Sequence, residues 1–260
     1  MGLRDYLVKR VLQAIPVVLC VIVVNFLVIH AAPGDIALYY VGHESPSPEE
    51  IAAVRKEFGL DQPLWTQFVL YMEKLTRLDF GISWSHKAPV IAVISERVPA
   101  TLLLTFTSLV LSLAIGVVLG AIAARKPGSK FDFASSMSLL ILYSTPVFWG
   151  GLMLMLVFAV SLHVLPTSGI LGTENLTGWS YYLDLLRHLF LPAVTLALFS
   201  MMGLHFRVTR SSIIEVIRED FITTAKAVGY DDNTVFMKHA LRNALLPVVT
   251  VVGYEMGFLL

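Results

Sequence analysis

Long runs of residues without charge alternate with polar segments along this chain, and the runs define its elements. Four runs contain no Asp, Glu, Lys or Arg, and they cover residues 11–34, 98–124, 133–173 and 188–206. A helix crosses the roughly 30 Å hydrocarbon core of a bilayer with about 20 mostly apolar residues, so each run can hold a membrane span. A fifth apolar run begins at Asn243 and is interrupted only by Glu255 before Leu260. The pattern predicts five spans, the last one incomplete, and we expect the natural chain to continue.

Two of these runs need a closer interpretation. The third run is 41 residues long, which is too long for a single span. We predict one helix from about Phe133 to Leu165, followed by an uncharged loop that begins at Pro166. The first run resembles a secretory signal in length, but no A-x-A-like cleavage site follows it near residues 29–33. We therefore interpret residues 1–34 as an uncleaved anchor span.

Basic residues are concentrated on one side of the predicted spans, which sets their orientation. The amino end and the connections after the second and fourth spans carry twelve Lys and Arg residues, whereas the connection after the third span carries only Arg187. Short cytoplasmic loops carry the excess of basic residues in membrane proteins, and long loops weigh little in this rule. We therefore expect the amino end to be cytoplasmic and residues 35–97 to be extracytoplasmic.

The long segment between the first two spans has helix signals of its own, and we predict that residues 35–97 form a small helical subdomain. Ser47-Pro-Glu-Glu50 has the sequence of a capping box, which starts a helix. That helix should run to Phe58 and end at Gly59. A second helix is predicted from Asp61. Its apolar face repeats at helical spacing and consists of Leu64, Phe68, Tyr71 and Leu75. The subdomain is either a structural lid on the membrane helices or a docking surface for a soluble partner.

Composition supports this membrane assignment. Hydrophobic residues make up 56% of the 260 residues and charged residues only 15%, the formal net charge is zero, and the mean hydropathy is +0.74. Soluble domains carry about 25% charged residues, and nucleic-acid binders usually carry a basic excess. The single Cys20 excludes a disulfide framework. We predict an all-α polytopic membrane helix bundle with the small outer subdomain, and residues 98–260 form its core.

Catalytic and metal motifs are missing from the sequence. It contains no G-x-x-x-x-G-K-[ST] phosphate loop and no H-E-x-x-H pair, so we expect no ATP hydrolysis by that route and no metal site. Ser168 follows His163 by five residues, which faintly suggests an intramembrane serine protease. A turn at Pro166-Thr-Ser-Gly169 is the better interpretation of this segment.

The connection over residues 207–242 is the most informative segment. It has six basic and five acidic residues, which is typical of a patterned protein surface. Residues 211–228 contain no Pro or Gly and predict a helix that ends at Gly229, and Asp231 can cap a second helix. Phe221, Ala225 and Val228 fall on one stripe of the first helix. This stripe either fits a groove on another protein or packs on the chain's own helices, and periodicity alone leaves both open.

Two motifs in this segment carry a family resemblance. Residues 220–229 read DFITTAKAVG and residues 239–250 read HALRNALLPVVT, and together they resemble the EAA loop of ABC-importer permeases. Supporting segments occur in the expected order along the chain: GLDQPLWTQF at 59–68, ERVPATLLL at 96–104, TPVFWGGL at 145–152, LPTSG at 165–169, LPAVTLAL at 191–198 and RVTRSSIIEV at 207–216. The chain is thus similar to the dipeptide, oligopeptide and nickel branch, and specifically to the permease subunit with a long first outer loop.

The resemblance implies a function and a set of partners. It implies a pore-forming inner-membrane subunit with six spans that moves short peptides or similar solutes inward by alternating access and is not itself an enzyme. It implies a second homologous permease, two cytoplasmic ATPases that hold ATP and Mg, and an extracytoplasmic binding protein; the chain itself needs no cofactor. The EAA loop holds the coupling helix that docks on the ATPase. The corresponding residues here are Asp220, Phe221, Thr223, Thr224, Ala225, Lys226, Ala227 and Gly229. Thr223 and Thr224 stand where the general signature has Glu and Ala, and Arg242 replaces its proline.

Glu255 bears on the choice between this function and a rival one. A self-contained secondary transporter or channel normally needs intramembrane charges, and Glu255 is the only such charge within the predicted spans. An acid facing lipid at the bilayer centre costs about 3 kcal/mol, so we expect Glu255 to face either the translocation path or a helix contact. Gly253 and Gly257 flank Glu255 and would allow a close helix contact. Both placements stay open from the sequence.

Overall fold

The computed structural model describes residues 2–34, 37–38, 47–57, 59–83, 85–172 and 176–259. Helices dominate this part of the chain. They are α1 Leu3–Ala31, α2 Pro48–Glu57, α3 Leu64–Thr76, α4 Val90–Arg125, α5 Lys130–Ser144, α6 Val147–Met155, α7 Trp179–Leu196, α8 Met202–Val216, α9 Asp220–Ala227, α10 Asp232–Thr234 and α11 Arg242–Leu259. Three π-helical segments extend or join them, at Leu156–Ser161, Ala197–Met201 and Val235–Leu241. A short antiparallel pair, β1 Ile82–Ser83 and β2 Ala88–Pro89, precedes α4.

Among the described residues, four helical stretches are long and apolar enough to cross a membrane. They are Leu3–Ala31, Val90–Arg125, Trp179–Val216 and Asp232–Gly257. The bent pair Lys130–Ser144 and Val147–Ser161 makes a fifth if it is counted as one span. The prediction of an all-α polytopic membrane protein is therefore confirmed. The structure divides into two compact units, Met1–Arg97 and Val98–Leu260. The predicted division into an anchor, an outer subdomain and a core stays a prediction.

The predicted single helix from Phe133 to Leu165 is wrong. The chain bends by 98° between α5 and α6, and the second arm ends at Ser161. Pro146 stands at the bend, and Thr145 before it is extended, with φ −79° and ψ 131°. Proline lacks the N–H that would continue the helical hydrogen bonding, and it disfavours helical geometry in the residue before it. A sequence run can therefore be uniformly apolar and still contain a sharp corner.

In the first unit, α3 packs on the carboxyl end of α1. The Phe26 ring lies 5.2 Å from the Phe68 ring and 5.8 Å from the Tyr71 ring, measured between centroids. The His30 Nε2 atom is 2.9 Å from the Gln67 side-chain oxygen. Phe68 and Tyr71 belong to the predicted apolar face, so this face contacts a membrane helix as expected. Leu64, at the start of the same face, is 59% exposed.

Local helix signals in this unit are confirmed, with one correction. The Ser47 N–H donates to the Glu50 carboxylate at 2.8 Å, and the Glu50 N–H donates to the Ser47 hydroxyl at 3.2 Å, which is the predicted capping box. Gly59 has φ +67°, as its predicted place after a helix requires. The predicted end at Phe58 lies outside the described residues. The second helix begins at Leu64, not at Asp61, because Pro63 disfavours helical geometry at the residue that precedes it.

In the second unit, α8 is the central helix. It packs against α5 and α11, and together with the preceding π-helical segment it contributes Ala197, Met202 and Phe206 to a core that also contains Ala123 of α4 and Leu139 of α5. The π-helical segment Ala197–Met201 joins α7 to α8 without interruption. The fourth span therefore extends from Trp179 to Val216, well beyond the predicted residues 188–206. This core therefore surrounds α8, which leads directly into the connection between α8 and α11 over residues 217–241.

Candidate functional site

The loop after α8 contains a separate short helix. α8 ends at Val216, residues 217–219 form a turn, and α9 begins at Asp220. Glu219 is extended, with φ −73° and ψ 148°, and its carbonyl accepts a hydrogen bond from the Ile222 N–H at 3.0 Å. The predicted continuous helix over residues 211–228 is therefore wrong. The turn allows α9 to fold back on its own loop and bury an apolar side, which a straight continuation of α8 would leave exposed.

One face of α9 is packed on an apolar floor. Ile222 is 2% exposed and Ala225 is 7% exposed. They form a buried cluster with Val235 and Ala240, and half-buried Val216 and Ile217 pack against it. The floor therefore comes from the end of α8 and from the π-helical segment that leads into α11. α9 is therefore in contact with the chain on both sides of it, at the end of α8 and at the segment that leads into α11.

The rest of α9 is exposed in this chain. Phe221 is 43% exposed and Val228 is 72% exposed. The other exposed positions of the loop motif are Asp220, Thr223, Thr224, Lys226, Ala227 and Gly229. The predicted stripe is thus divided, because Ala225 packs inward whereas Phe221 and Val228 point outward. A bulky aromatic on this eight-residue helix and a valine directly after it form a compact apolar surface, which is typical of a contact with another protein.

The carboxyl end of α9 is closed by a glycine turn and a new cap. Gly229 has φ +100°, and the Tyr230 N–H donates to the Ala225 carbonyl at 3.3 Å. The Asp231 carboxylate then accepts from the Thr234 N–H at 3.0 Å and from the Thr234 hydroxyl at 2.6 Å. The predicted Asp231 cap is confirmed. These hydrogen bonds lower the pKa of Asp231 because they stabilise its charged form, and the bond from the Thr234 hydroxyl has the largest effect.

Two arginine side chains connect helices of the second unit close to the loop. The Arg125 guanidinium at the end of α4 donates to the Asn233 side chain at 2.9 Å and stacks over the Phe236 ring at 4.5 Å. Arg210 on α8 donates through Nε and Nη2 to both carboxylate oxygens of Asp132 on α5, at 2.5 and 2.7 Å. Asp132 is 3% exposed. Such a bidentate pair fixes both distance and orientation between two helices.

A shallow groove lies where α8 leads into α9. It has a volume of about 460 Å³ and follows the end of α8 into the start of α9. Its lining includes Arg210, Arg218, Glu215, Glu219 and Asp220, so charges of both signs surround the groove where α9 begins. The arrangement suits a partner protein with a mixed polar rim around an apolar contact.

Glu255 lies in a helix contact. It is 8% exposed, and its Oε2 atom is 2.8 Å from Nε2 of His205 on α8, which is completely buried. The contact supports the second of the two placements considered from the sequence. The role of His205 was not predicted, because a histidine 50 positions before an acid carries no periodic signal. The placement of Glu255 on a translocation path stays a prediction.

Ser168 lies in the turn predicted for it. It is exposed, and Gly169 beside it has φ +92°, which suits a turn. The segment borders a cavity of about 360 Å³ with His188, Pro192 and Thr195. The His188 Nδ1–H donates to the Asp184 carbonyl at 2.9 Å, and the Asp184 carboxylate accepts from the Gly172 N–H at 2.6 Å. The second of these bonds joins Gly172, which lies before α7, to that helix.

Comparison with known proteins gives matches along nearly the whole chain. Residues 116–260 match the family described as binding-protein-dependent transport system inner membrane component, and residues 3–105 match the corresponding amino-terminal family. The oligopeptide transport system permease protein AppB of Bacillus subtilis is 37% identical over 249 residues, which cover 95% of this chain and 77% of the relative. The dipeptide transport system permease protein DppB of Escherichia coli K12 is 36% identical over 274 residues, which cover 98% of this chain and 80% of the relative.

Proposed function

Because the chain belongs to the family of binding-protein-dependent transport system inner membrane components, we propose that it is the pore-forming permease subunit of an ABC importer for short peptides. Members of this family are membrane permeases and not enzymes. The names of the two relatives, an oligopeptide and a dipeptide permease, support a peptide as the transported solute. The outward apolar face of α9 on its buried floor is the observation that carries the mechanism.

In the proposed mechanism, α9 is the coupling helix. Phe221 and Val228, with the exposed Asp220, Thr223, Thr224, Lys226, Ala227 and Gly229 around them, dock on a cytoplasmic ATPase subunit. Ala225 and Ile222 hold the helix to its floor instead. ATP and Mg are bound by two ATPase partners, and the nucleotide biases the permease between inward- and outward-facing states through this contact. A bias of this kind requires that the partner bind the two states with different free energies.

The remaining partners and the orientation belong to the same proposal. A second, homologous permease completes the pore, and an extracytoplasmic binding protein delivers the peptide. The amino end is cytoplasmic, which the concentration of twelve basic residues on one side supports. This orientation places α9 on the same side of the membrane as ATP.

Reconstitution tests the proposal directly. The chain is placed in proteoliposomes with its second permease, its ATPases and its binding protein, and uptake of a labelled dipeptide is measured. We expect uptake that requires both ATP and the binding protein. Uptake by the chain alone, driven by a proton or sodium gradient, would instead support the rival secondary transporter.

A further inference from the structure

Three polar side chains from three different helices meet in the buried interior of the second unit. They are Ser112 on α4 and His205 on α8, both 0% exposed, and Glu255 on α11, 8% exposed. The Ser112 hydroxyl is 2.6 Å from His205 Nδ1, and the Glu255 carboxylate is 2.8 Å from His205 Nε2. The two ring nitrogens of one imidazole therefore lie close to side chains from two different helices, and the Nδ1 contact with Ser112 is a hydrogen bond. The mechanism proposed above assigns none of the three a role.

The close approach of α4 and α8 makes this meeting possible. A Cβ atom at Gly116 would lie 2.9 Å from the His205 Cβ, and one at Gly120 would lie 2.8 Å from the Phe206 carbonyl oxygen. Both distances are shorter than any normal contact, so the two glycines allow the backbones to touch. Ser112 stands one helical turn before Gly116, and only at this separation does its short side chain reach the imidazole.

Charge balance couples His205 to Glu255. Residues 98–124 of α4 carry no charge, and Glu255 is the only charged residue of α11 after Arg242. The neighbouring Thr209, also completely buried, offers only a hydroxyl. An uncompensated charge in such a place is costly, so a charge on either His205 or Glu255 has to be balanced by the opposite charge on the other. The Glu255 Oε2 atom lies off the line of the His205 Nε2–H bond, so the two side chains are in close contact without an aligned hydrogen bond.

We propose that Ser112, His205 and Glu255 form a latch that locks α4, α8 and α11 into one mechanical unit. α8 leads into the coupling helix α9 and α11 follows it, so the latch joins the two helices that carry α9. With the latch closed, a displacement of α9 moves both helices together instead of separating them. The three residues are positioning residues, and this part of the inference rests on the proposed function.

The charge-pairing part is tested by assembly, which needs no assumption about transport. In purified, nanodisc-embedded complexes, His205→Leu leaves Glu255 without its partner, and we expect at least a tenfold lower yield of assembled complex. The double variant His205→Leu with Glu255→Leu removes both polar groups, and its yield should return to within twofold of the wild type. His163→Leu, at an exposed histidine, is the matched control. A His205→Leu complex that assembles normally, or a double variant that does not recover, would overturn the pairing.

The mechanical part is tested by the number of ATP molecules hydrolysed per peptide transported. The double leucine variant assembles but has no polar latch, so we expect this ratio to rise at least fivefold. Glu255→Gln keeps the volume and a polar group beside His205, so it should recover most of the coupling that Glu255→Leu loses. A wild-type ratio in the double leucine variant would show that the residues only pack. If transport proves independent of ATPases, the proposed function fails, whereas the assembly result still stands.

Discussion

At the scale of single residues, Phe221 and Ala225 lie four positions apart on α9 and have opposite surroundings. Phe221 is exposed, so Phe221→Asp should leave the permease folded and inserted but reduce ATP-driven peptide uptake at least tenfold, because it removes the apolar docking contact. Phe80→Asp, at a residue with the same 43% exposure in the first unit, is the matched control. Uptake in proteoliposomes measures both. Wild-type uptake by Phe221→Asp in the complete complex would contradict the docking role.

Ala225→Asp should act differently, because it places a charge in the buried floor. Burial of a polar group without a partner costs about 1–3 kcal/mol. We therefore expect a lower thermal unfolding temperature of the isolated permease, in addition to the loss of coupling. An unchanged unfolding temperature would mean that α9 is not packed on its floor.

Gly229 is a second residue where conformation decides the outcome. An added Cβ meets no atom within 4 Å, so only the backbone angle of φ +100° opposes a side chain. Gly229→Ala should cost about 1–3 kcal/mol for the strained backbone. Gly253→Ala is the control, since its Cβ also meets open space but its backbone is helical. Equal unfolding temperatures for the two variants would show that the turn tolerates a side chain.

Glu255 allows the two placements considered from the sequence to be separated. If it lines the translocation path, Glu255→Gln should weaken uptake of peptides with a free amino terminus more than uptake of N-acetylated peptides. The contact with His205 leads us to expect an equal effect on both. Competition uptake with the two peptide forms measures the difference, and a selective loss would move Glu255 to the path.

At the scale of elements, the Arg210–Asp132 pair connects α8 to α5. The Arg210 side chain is 30% exposed and the Asp132 side chain 4% exposed, so Arg210→Ala leaves a buried carboxylate without its partner. Breaking a buried pair from one side costs about 3–5 kcal/mol. Arg77→Ala is the control, because its pair with Glu73 is exposed and worth at most about 1 kcal/mol. Urea or thermal unfolding of the detergent-solubilised permease measures both, and equal losses would mean that the buried pair adds no stability.

At the scale of the whole molecule, orientation in the membrane is the property that remains to be tested. On a Cys20→Ser background, Ser129→Cys should resist a membrane-impermeant thiol reagent in intact cells and react after permeabilisation. Asp61→Cys, in the predicted outer subdomain, should react in intact cells and serves as the control. Labelling of the cysteine at position 129 in intact cells would reverse the proposed arrangement and move α9 away from ATP.

The sequence alone determined the properties of this protein that depend on neighbouring residues. Helical spans follow from uninterrupted hydrophobicity, the caps at Ser47 and Asp231 from groups three positions apart, and the turn at Gly229 from the conformational freedom of glycine. The EAA-loop resemblance also lies in short contiguous motifs. The family of the chain was therefore predictable, and the location of its candidate docking loop in the sequence could be proposed.

Only the tertiary structure decided which faces are buried and which distant residues meet. Ala225 is buried while Phe221 and Val228 are exposed, because α8 ends at Val216 and α9 packs on the rest of the loop with one side only. The periodicity of the sequence does not reveal this. Asp132 and Arg210 are 78 positions apart, and Ser112 and His205 are 93 apart. Hydrophobic patterning assigns a residue to a helix, but the partner of a buried polar group depends on how helices cross. That crossing depends on backbone contact at Gly116 and Gly120, which is a property of the packed bundle and not of any segment alone.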